Sequence, residues 1–135
     1  MKPETSAALA AADMALSDAR GNLSINIPRQ AARLAYYAQF HAAQALIFER
    51  TGKVSKTHKG VDKVFHKLAQ AEPTFPAGFA AQLTKAYNYK ETADYSTDFS
   101  APITQTLASD AITTAEHFVA IIRQAPSQSP APAAP

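Results

Sequence analysis

Apolar side chains recur at three- and four-residue spacing through most of this 135-residue chain, and Pro or Gly interrupts the pattern at its breaks. Such a period places apolar residues along one face of an α-helix. No segment shows the strict alternation of apolar and polar residues that predicts a half-buried strand. The 30 alanines point the same way, because alanine loses no side-chain entropy when a helix forms. The sequence therefore predicts an all-α fold.

The interruptions divide the chain into five predicted helices and a tail. Four helices are expected at 5–20, 28–51, 76–95 and 102–124, and another, capped by Ser55 or Thr57, is expected to end near Ala71. Short connectors favour antiparallel neighbours, so we expect an up-and-down helical bundle of four to five helices, with 28–51 at its centre. The predicted domain covers 1–124, and the Pro-, Ala- and Ser-rich segment 125–135 is predicted to be a disordered tail.

Composition argues against several kinds of site. The chain has no cysteine, which excludes disulfides, thiolate metal ligands and a cysteine nucleophile. Its four glycines form no phosphate-binding loop of the Rossmann or P-loop type, and its histidines lack metal-ligand spacing, so neither a cofactor nor a metal is expected. No apolar run is long enough to span a bilayer, and the N-terminus is a poor secretory signal. We therefore expect a cytoplasmic protein without membrane partners.

Basic charge is concentrated in residues 50–67. Six basic residues there accompany one acidic residue, which gives a local net charge of +5 in a chain whose total is +2. At about 100° per residue, one arc of the third helix gathers Lys56, Lys59, Lys63, His66 and Lys67. A lysine stripe suits phosphate groups, because neutralising them releases condensed counterions. The alternative interpretation is a solvated face that keeps the protein soluble.

Two further patterns place polar groups where a helix should pack. On the second helix, a ladder of three- and four-residue spacing contains Arg33, Tyr37, His41 and Gln44. His41 could serve acid–base chemistry, since an unperturbed imidazole has a pKa of about 6.5, or it could be a satisfied packing residue. On the fourth helix, Lys90 and Asp94 continue the apolar stripe, which suggests a cleft or subunit boundary, or else a structural salt bridge.

Aromatic residues are numerous for a small bundle, and aromatics are enriched at the cores of subunit interfaces. We therefore predict a homodimer. The residues concerned are Tyr36, Tyr37, Phe40, Tyr87, Tyr89 and Tyr95.

Three segments carry a family resemblance: RLAYYAQFHAAQAL at 33–46, SKTHKG at 55–60 and AYNYKETADY at 86–95. In this order they resemble the HEPN (higher eukaryotes and prokaryotes nucleotide-binding) family, in a small bacterial and archaeal branch, and the resemblance covers about residues 5–124. It implies an α-helical bundle, commonly a homodimer, that often works beside a small nucleotidyltransferase in a toxin–antitoxin-like module.

Many members of this family resemble metal-independent ribonucleases that use an arginine and a histidine on a late helix. Here Lys90 occupies the arginine's place and Asp94 the histidine's. Lysine lacks the planar bidentate fork of arginine, and aspartate cannot become a cationic acid. The resemblance thus implies a degenerate ribonuclease motif and leaves enzymatic activity uncertain. The branch motifs also include Arg33, Tyr37, His41 and His58.

These observations lead to one main hypothesis, in which the chain binds nucleotide or RNA phosphate and partners a nucleotidyltransferase. The binding residues would be Lys56, His58, Lys59, Lys63 and Arg33. The candidate catalytic residues are Lys90, Asp94 and His41, with Tyr37 and Tyr95 in a cleft or interface. One alternative is a ribonuclease toxin in which His41 or His58 acts as acid or base while Lys90 and Arg33 hold phosphate. Another is a purely structural protein-interaction module.

Overall fold

The computed structural model describes residues 1–95 and 102–128, and these ranges contain five α-helices and no strand. The helices are α1 (Pro3–Ser24), α2 (Pro28–Thr51), α3 (His58–Gln70), α4 (Phe79–Tyr95) and α5 (Gln105–Gln124). The predicted all-α bundle is therefore confirmed.

Helix α2 is the centre of the bundle and packs against each of the other four helices. Its core-facing positions are largely alanine, with Ala31, Ala35, Ala38, Ala42 and Ala45 all buried. Because an alanine side chain extends only to Cβ, neighbouring helices can approach α2 closely on several sides. Helix α2 therefore occupies the central position that the sequence predicts for residues 28–51.

The boundaries of α2 agree with the prediction because its ends carry strong local signals. Pro28 stands at the first helical turn, where its missing N–H costs nothing. Gly52 closes the helix in the left-handed region at φ 70°, and its N–H donates to the Phe48 carbonyl at 2.8 Å. Of the two cap candidates for α3, Thr57 is the one used: its Oγ1 accepts from the N–H of Gly60 at 3.0 Å.

Other boundaries differ from the prediction. Helix α1 runs through Gly21, the expected stop, to Ser24, and the reversal is made by Asn26 at φ 62°. Helix α5 begins three residues later than predicted because the Thr104 side chain caps it, accepting from the N–H of Leu107 at 3.1 Å. Ahead of α4, residues 76–78 form a turn in which Gly78 has φ 76°.

An aromatic cluster closes the core between α3, α4 and α5. The ring centroid of Phe118 lies 5.4 Å from that of Phe65 and 4.5 Å from that of Phe79. All three side chains are buried. Aromatic pairs at such distances stabilise by about 0.5–1.5 kcal/mol beyond their buried area, so this cluster fixes how the three helices pack.

The predicted tail begins where α5 ends. Its first four residues are described, and the carbonyl of Pro126 accepts a hydrogen bond from Arg50 Nη2 at 3.2 Å. The remaining seven, 129–135, lie outside the described residues. The five helices all fall within the predicted domain, and none of them is both long and apolar enough to cross a bilayer.

Candidate functional site

The structure brings Arg33, Lys90 and Asp94 together as an ionic cluster between α2 and α4. Asp94 Oδ2 lies 2.8 Å from Lys90 Nζ, and Oδ1 lies 3.0 Å from Arg33 Nε. The side chains of Lys90 and Asp94 are only 14% and 15% exposed. One carboxylate thus faces two cations, so these three side chains carry a net charge of +1, and the neighbouring Glu91 carboxylate also acts on Lys90.

Three tyrosine rings lie within cation–π distance of Lys90. Its Nζ lies 6.0 Å from the ring centroid of Tyr37 and 5.9 Å from those of Tyr87 and Tyr95. Such cation–π contacts favour the charged amine. The hydrogen bond to Asp94 raises the pKa of Lys90, although burial opposes the shift. Lys90 therefore holds its proton at neutral pH and is unsuited to act as a general base.

His58, at the start of α3, lies beside this cluster. Its ring stacks on Tyr87 with centroids 3.2 Å apart and an interplanar angle of 12°. Its Nδ1 is 2.7 Å from the hydroxyl of Tyr36. Burial lowers the pKa of His58, against the opposing influence of the Asp62 and Glu91 carboxylates, and the positive charge of Lys90 adds to the lowering. His58 is therefore neutral at pH 7.

Tyr36 keeps its proton, because burial raises the pKa of its hydroxyl well above the ordinary value. A protonated hydroxyl can donate to the Nδ1 of a neutral imidazole. In that arrangement His58 carries its proton on Nε2. The pair then offers one N–H donor near Lys90 on one side and the Asp62 and Glu91 carboxylates on the other.

His41 does not join this group. Its Nδ1 is 3.0 Å from Gln44 Oε1, and Gln44 Nε2 donates to the carbonyl of Ser55 at 2.8 Å. Along α2 it lies about 12 Å from Arg33, at 1.5 Å per residue. The geometry therefore supports the packing interpretation of His41, which helps hold the loop between α2 and α3.

The folded structure places only some of the basic residues of segment 50–67 on the exposed side of α3. Lys56 precedes the first turn of α3, so the predicted helical stripe is reduced to Lys59, Lys63 and Lys67 with Lys56 beside it in the loop. Arg50 is not part of the surface, because its side chain is 0% exposed and its Nη2 lies 2.6 Å from Glu72 Oε1. The exposed lysines of the segment are Lys53, Lys56, Lys59, Lys63 and Lys67.

Sequence patterns did not reveal the interaction between His58 and the tyrosines. The sequence predicts Tyr36 and Tyr87 only as aromatics of a subunit interface. The contact to His58 joins residues 22 positions apart on different helices, so no helical spacing could predict it. His66, expected on the lysine arc, instead lies with Nε2 3.0 Å from Thr84 Oγ1 and 3.4 Å from Asp62 Oδ1.

In the described part of the chain, no three His, Cys, Asp or Glu side chains are grouped closely enough to hold a metal ion. The candidate site consists of the ionic cluster, His58 with Tyr36 and Tyr87, and the neighbouring lysines of α3.

Comparison with known proteins agrees with this architecture. The family model described as "HEPN domain" matches residues 5–125. A protein of Methanocaldococcus jannaschii named "Putative toxin MJ0605" is 34% identical over 125 residues, which covers 93% of this chain and 90% of the relative. A "UPF0332 protein" of Archaeoglobus fulgidus is 29% identical over 84 residues, covering 62% of this chain and 66% of the relative. On this evidence the chain belongs to the HEPN domain family.

Proposed function

We propose that this HEPN protein acts in a toxin–antitoxin-like module and binds the phosphates of RNA or a nucleotide along the exposed side of α3. The single observation that carries the proposal is the free basic charge of this side. Lys56, Lys59 and Lys63 are exposed, and none forms an ion pair within residues 1–95 and 102–128. Cations without intramolecular partners are available to neutralise phosphate groups.

The ionic cluster supports binding better than catalysis. Asp94 takes up much of the charge of both Arg33 and Lys90, and Lys90 keeps its proton. The cluster can therefore add one fixed positive charge at the edge of a phosphate site. Asp94 would lose two ionic contacts if it were protonated, which makes a proton-transfer role costly.

The relative named as a toxin supports the module, since the match extends over 90% of that protein. A nucleotidyltransferase partner and a homodimer belong to the same proposal. Tyr95 supports an interface here, because it is 73% exposed and its ring centroid lies 5.9 Å from Nζ of the partly buried Lys90. Aromatic residues are enriched at the centres of such interfaces.

The proposal is tested by titrating a fluorescently labelled single-stranded RNA with the wild type and with Lys59→Gln/Lys63→Gln. A matched control, Ala10→Glu/Ser17→Glu, lowers the net charge by the same amount at exposed positions of α1. We expect the α3 variant to bind at least tenfold more weakly at low salt. The slope of log K against log[salt] should fall by about 0.7 for each lysine lost.

Equal loss of affinity in the two variants would mean that only net charge matters and would reject a site on α3. Absence of RNA binding by the wild type, with absence of ATP binding in the same assay, would reject phosphate binding altogether. Retained affinity in the control with lost affinity in the α3 variant supports the proposal.

A ribonuclease remains a second candidate, favoured by one observation. His58 has a lowered pKa, and in its other tautomer, with Nδ1 donating to the Tyr36 hydroxyl, its Nε2 could accept a proton. Incubating total RNA with the wild type and with His58→Gln, in the presence of a chelator, distinguishes a ribonuclease from a phosphate-binding protein. Cleavage that needs His58 supports the enzyme, and intact RNA in both samples leaves binding as the function.

A further inference from the structure

Two arginines stand one turn apart at the start of α2, and only one of them, Arg33, belongs to the ionic cluster. Arg29 Nη1 donates to the carbonyl of Ala93 at 2.8 Å, and Arg33 Nε lies 3.0 Å from Asp94 Oδ1. These contacts hold both guanidinium groups against the end of α4. Residues four apart share a helix face, with Cβ atoms about 5–6 Å apart, so the two groups lie side by side.

Both arginines keep N–H groups that a ligand can reach. Arg29 is exposed, and its Nη2 has no hydrogen-bond partner in the described structure. Arg33 Nη2 has no partner there either, and it is not buried, although Nε of the same side chain is. The outer edge of a guanidinium group offers parallel N–H donors that match two oxygens of a phosphate. The pair therefore presents two accessible phosphate-binding edges.

The position of the pair is unfavourable unless an anion lies next to it. Arg29 is the second residue of α2, and the first turn of this helix has no acidic residue. A cation there opposes the positive end of the helix dipole, and like charges four residues apart repel each other. Within residues 1–95 and 102–128, Asp94 is the one carboxylate at salt-bridge distance from either arginine, and it also binds Lys90. The neighbourhood stays positive even when Glu91, which acts on Lys90, is counted.

The arginine pair and the α3 lysines lie on opposite sides of His58 along the bundle. Tyr36 contacts His58 at the start of α3, and Arg50 contacts Glu72 just after its end. Helix α3 therefore runs in the same direction as α2, from the level of Tyr36 to that of Arg50. The arginines precede Tyr36 on α2, while the lysines follow His58 on α3.

The distance along the bundle between the two groups of cations indicates the ligand. Arg29 lies seven residues before Tyr36, and Lys63 lies five residues after His58. At 1.5 Å per residue, Arg29 and Lys63 are therefore about 18 Å apart along the axis. The linked phosphates of a single nucleoside triphosphate are too short to extend over this distance. A stacked nucleic-acid strand carries one phosphate per about 3.4 Å, so about six nucleotides cover it.

We propose that Arg29 and Arg33 form a second phosphate subsite, and that the ligand is an RNA strand that passes His58 between this subsite and the α3 lysines. The inference rests on the proposed phosphate binding along α3, and it narrows the ligand from RNA or a nucleotide to an RNA strand. Asp94 and the Ala93 carbonyl position the two guanidinium groups.

The test combines RNA length with arginine substitution. Fluorescently labelled (rU)3 and (rU)8 are titrated with the wild type, with Arg29→Gln/Arg33→Gln and with a matched control, Arg20→Gln/Arg123→Gln. The control removes two exposed arginines that each pair with a carboxylate on a neighbouring helix, so it loses the same charge.

We expect the wild type to bind (rU)8 about a hundredfold more tightly than (rU)3, because the two subsites are then occupied by one strand. This gain exceeds the few-fold increase that extra binding positions on a longer strand provide. The arginine variant should keep only that few-fold increase, and the control should behave like the wild type. Arg29→Gln alone leaves the contact between Arg33 and Asp94 intact, and it should weaken (rU)8 binding by about tenfold.

The outcomes separate this inference from the proposed function. If Lys59→Gln/Lys63→Gln weakens (rU)8 binding while both arginine variants bind like the wild type, the inference is overturned and the proposed function stands. The inference is also overturned if the double arginine variant and its control lose equal affinity, or if ATP binds the wild type as tightly as (rU)8. Light scattering without RNA provides a further check, since a changed oligomeric state in the arginine variants would assign these residues to a subunit interface instead. A wild type that binds no RNA rejects the proposed function and this inference together.

Discussion

Replacing Arg50 by methionine should destabilise this protein more than any surface charge change. Arg50 lies in the last turn of α2 and reaches the connector after α3, where its Nη2 lies 2.6 Å from Glu72 Oε1. The two side chains are 0% and 1% exposed. Glu72 Oε2 in turn accepts from both the N–H and the hydroxyl of Thr74, at 3.2 and 2.8 Å. The substitution would leave a buried carboxylate without its counterion.

The magnitude follows from this burial. Removing one partner of a buried ion pair costs about 3–5 kcal/mol. With an unfolding entropy of about 2.1 cal/mol/K per residue, the melting temperature of a 135-residue chain should fall by about 11–18 °C. Differential scanning calorimetry at pH 7 measures the melting temperature, and urea unfolding at the same pH measures the free energy of unfolding.

A matched control uses the same substitution at an exposed pair. Arg123 Nη2 lies 2.8 and 2.7 Å from the two carboxylate oxygens of Asp13, but the side chains are 45% and 56% exposed. Arg123→Met should therefore cost less than about 1 kcal/mol. The double variant Arg50→Met/Glu72→Leu should recover much of the lost stability, since no buried charge remains unpaired.

Acidity provides an independent check. Burial opposes ionisation of Glu72, but the bonds from Thr74 and Arg50 lower its pKa below the ordinary value of 4.5. A depressed folded-state pKa stabilises the protein above about pH 4.5, and the contribution is lost as pH falls through the folded value. The stability gap between wild type and Arg50→Met should therefore narrow on acidification. The reasoning is refuted if the free energy of unfolding of Arg50→Met lies within about 1 kcal/mol of the wild-type value. It is also refuted if Arg50→Met/Glu72→Leu is no more stable than Arg50→Met.

Three further predictions concern the site and the backbone. Asp94→Asn removes the carboxylate that lies between Arg33 and Lys90. The free energy of unfolding measured in urea should fall by about 1–3 kcal/mol. An unchanged urea midpoint would mean that water already solvates the two cations. Gly21→Ala should stabilise the protein by about 0.5–1 kcal/mol, because this helical glycine has open space for a Cβ. Gly52→Ala should destabilise it by about 1 kcal/mol, because Gly52 has φ 70°. Equal changes in melting temperature for the two variants would contradict this. The ring proton of His58, followed by NMR, should titrate below about pH 6.5 because burial disfavours its cation, and a higher midpoint would refute the buried environment.

Local signals made the helices predictable. Pro28 and Gly52 act within one turn of the chain, so the limits of α2 follow from sequence. The pairing of Lys90 with Asp94 also follows, because residues four apart face the same side of a helix. Gly21 is the instructive exception: a glycine only permits a helix to end, and here α1 continues to Ser24 before Asn26 reverses the chain at φ 62°.

Contacts between helices required the folded chain. The sequence indicated Arg33 and Asp94 separately, but only the packing of α2 against α4 places them 3.0 Å apart. Basic composition suggested that Arg50 belonged to a surface patch, yet Glu72, 22 residues away, holds it inside. Periodicity reports which face of a helix is buried, and it carries no information on which other helix covers that face. Pairings across helices are therefore decided by tertiary packing, while helix limits and same-face neighbours are set by the sequence itself.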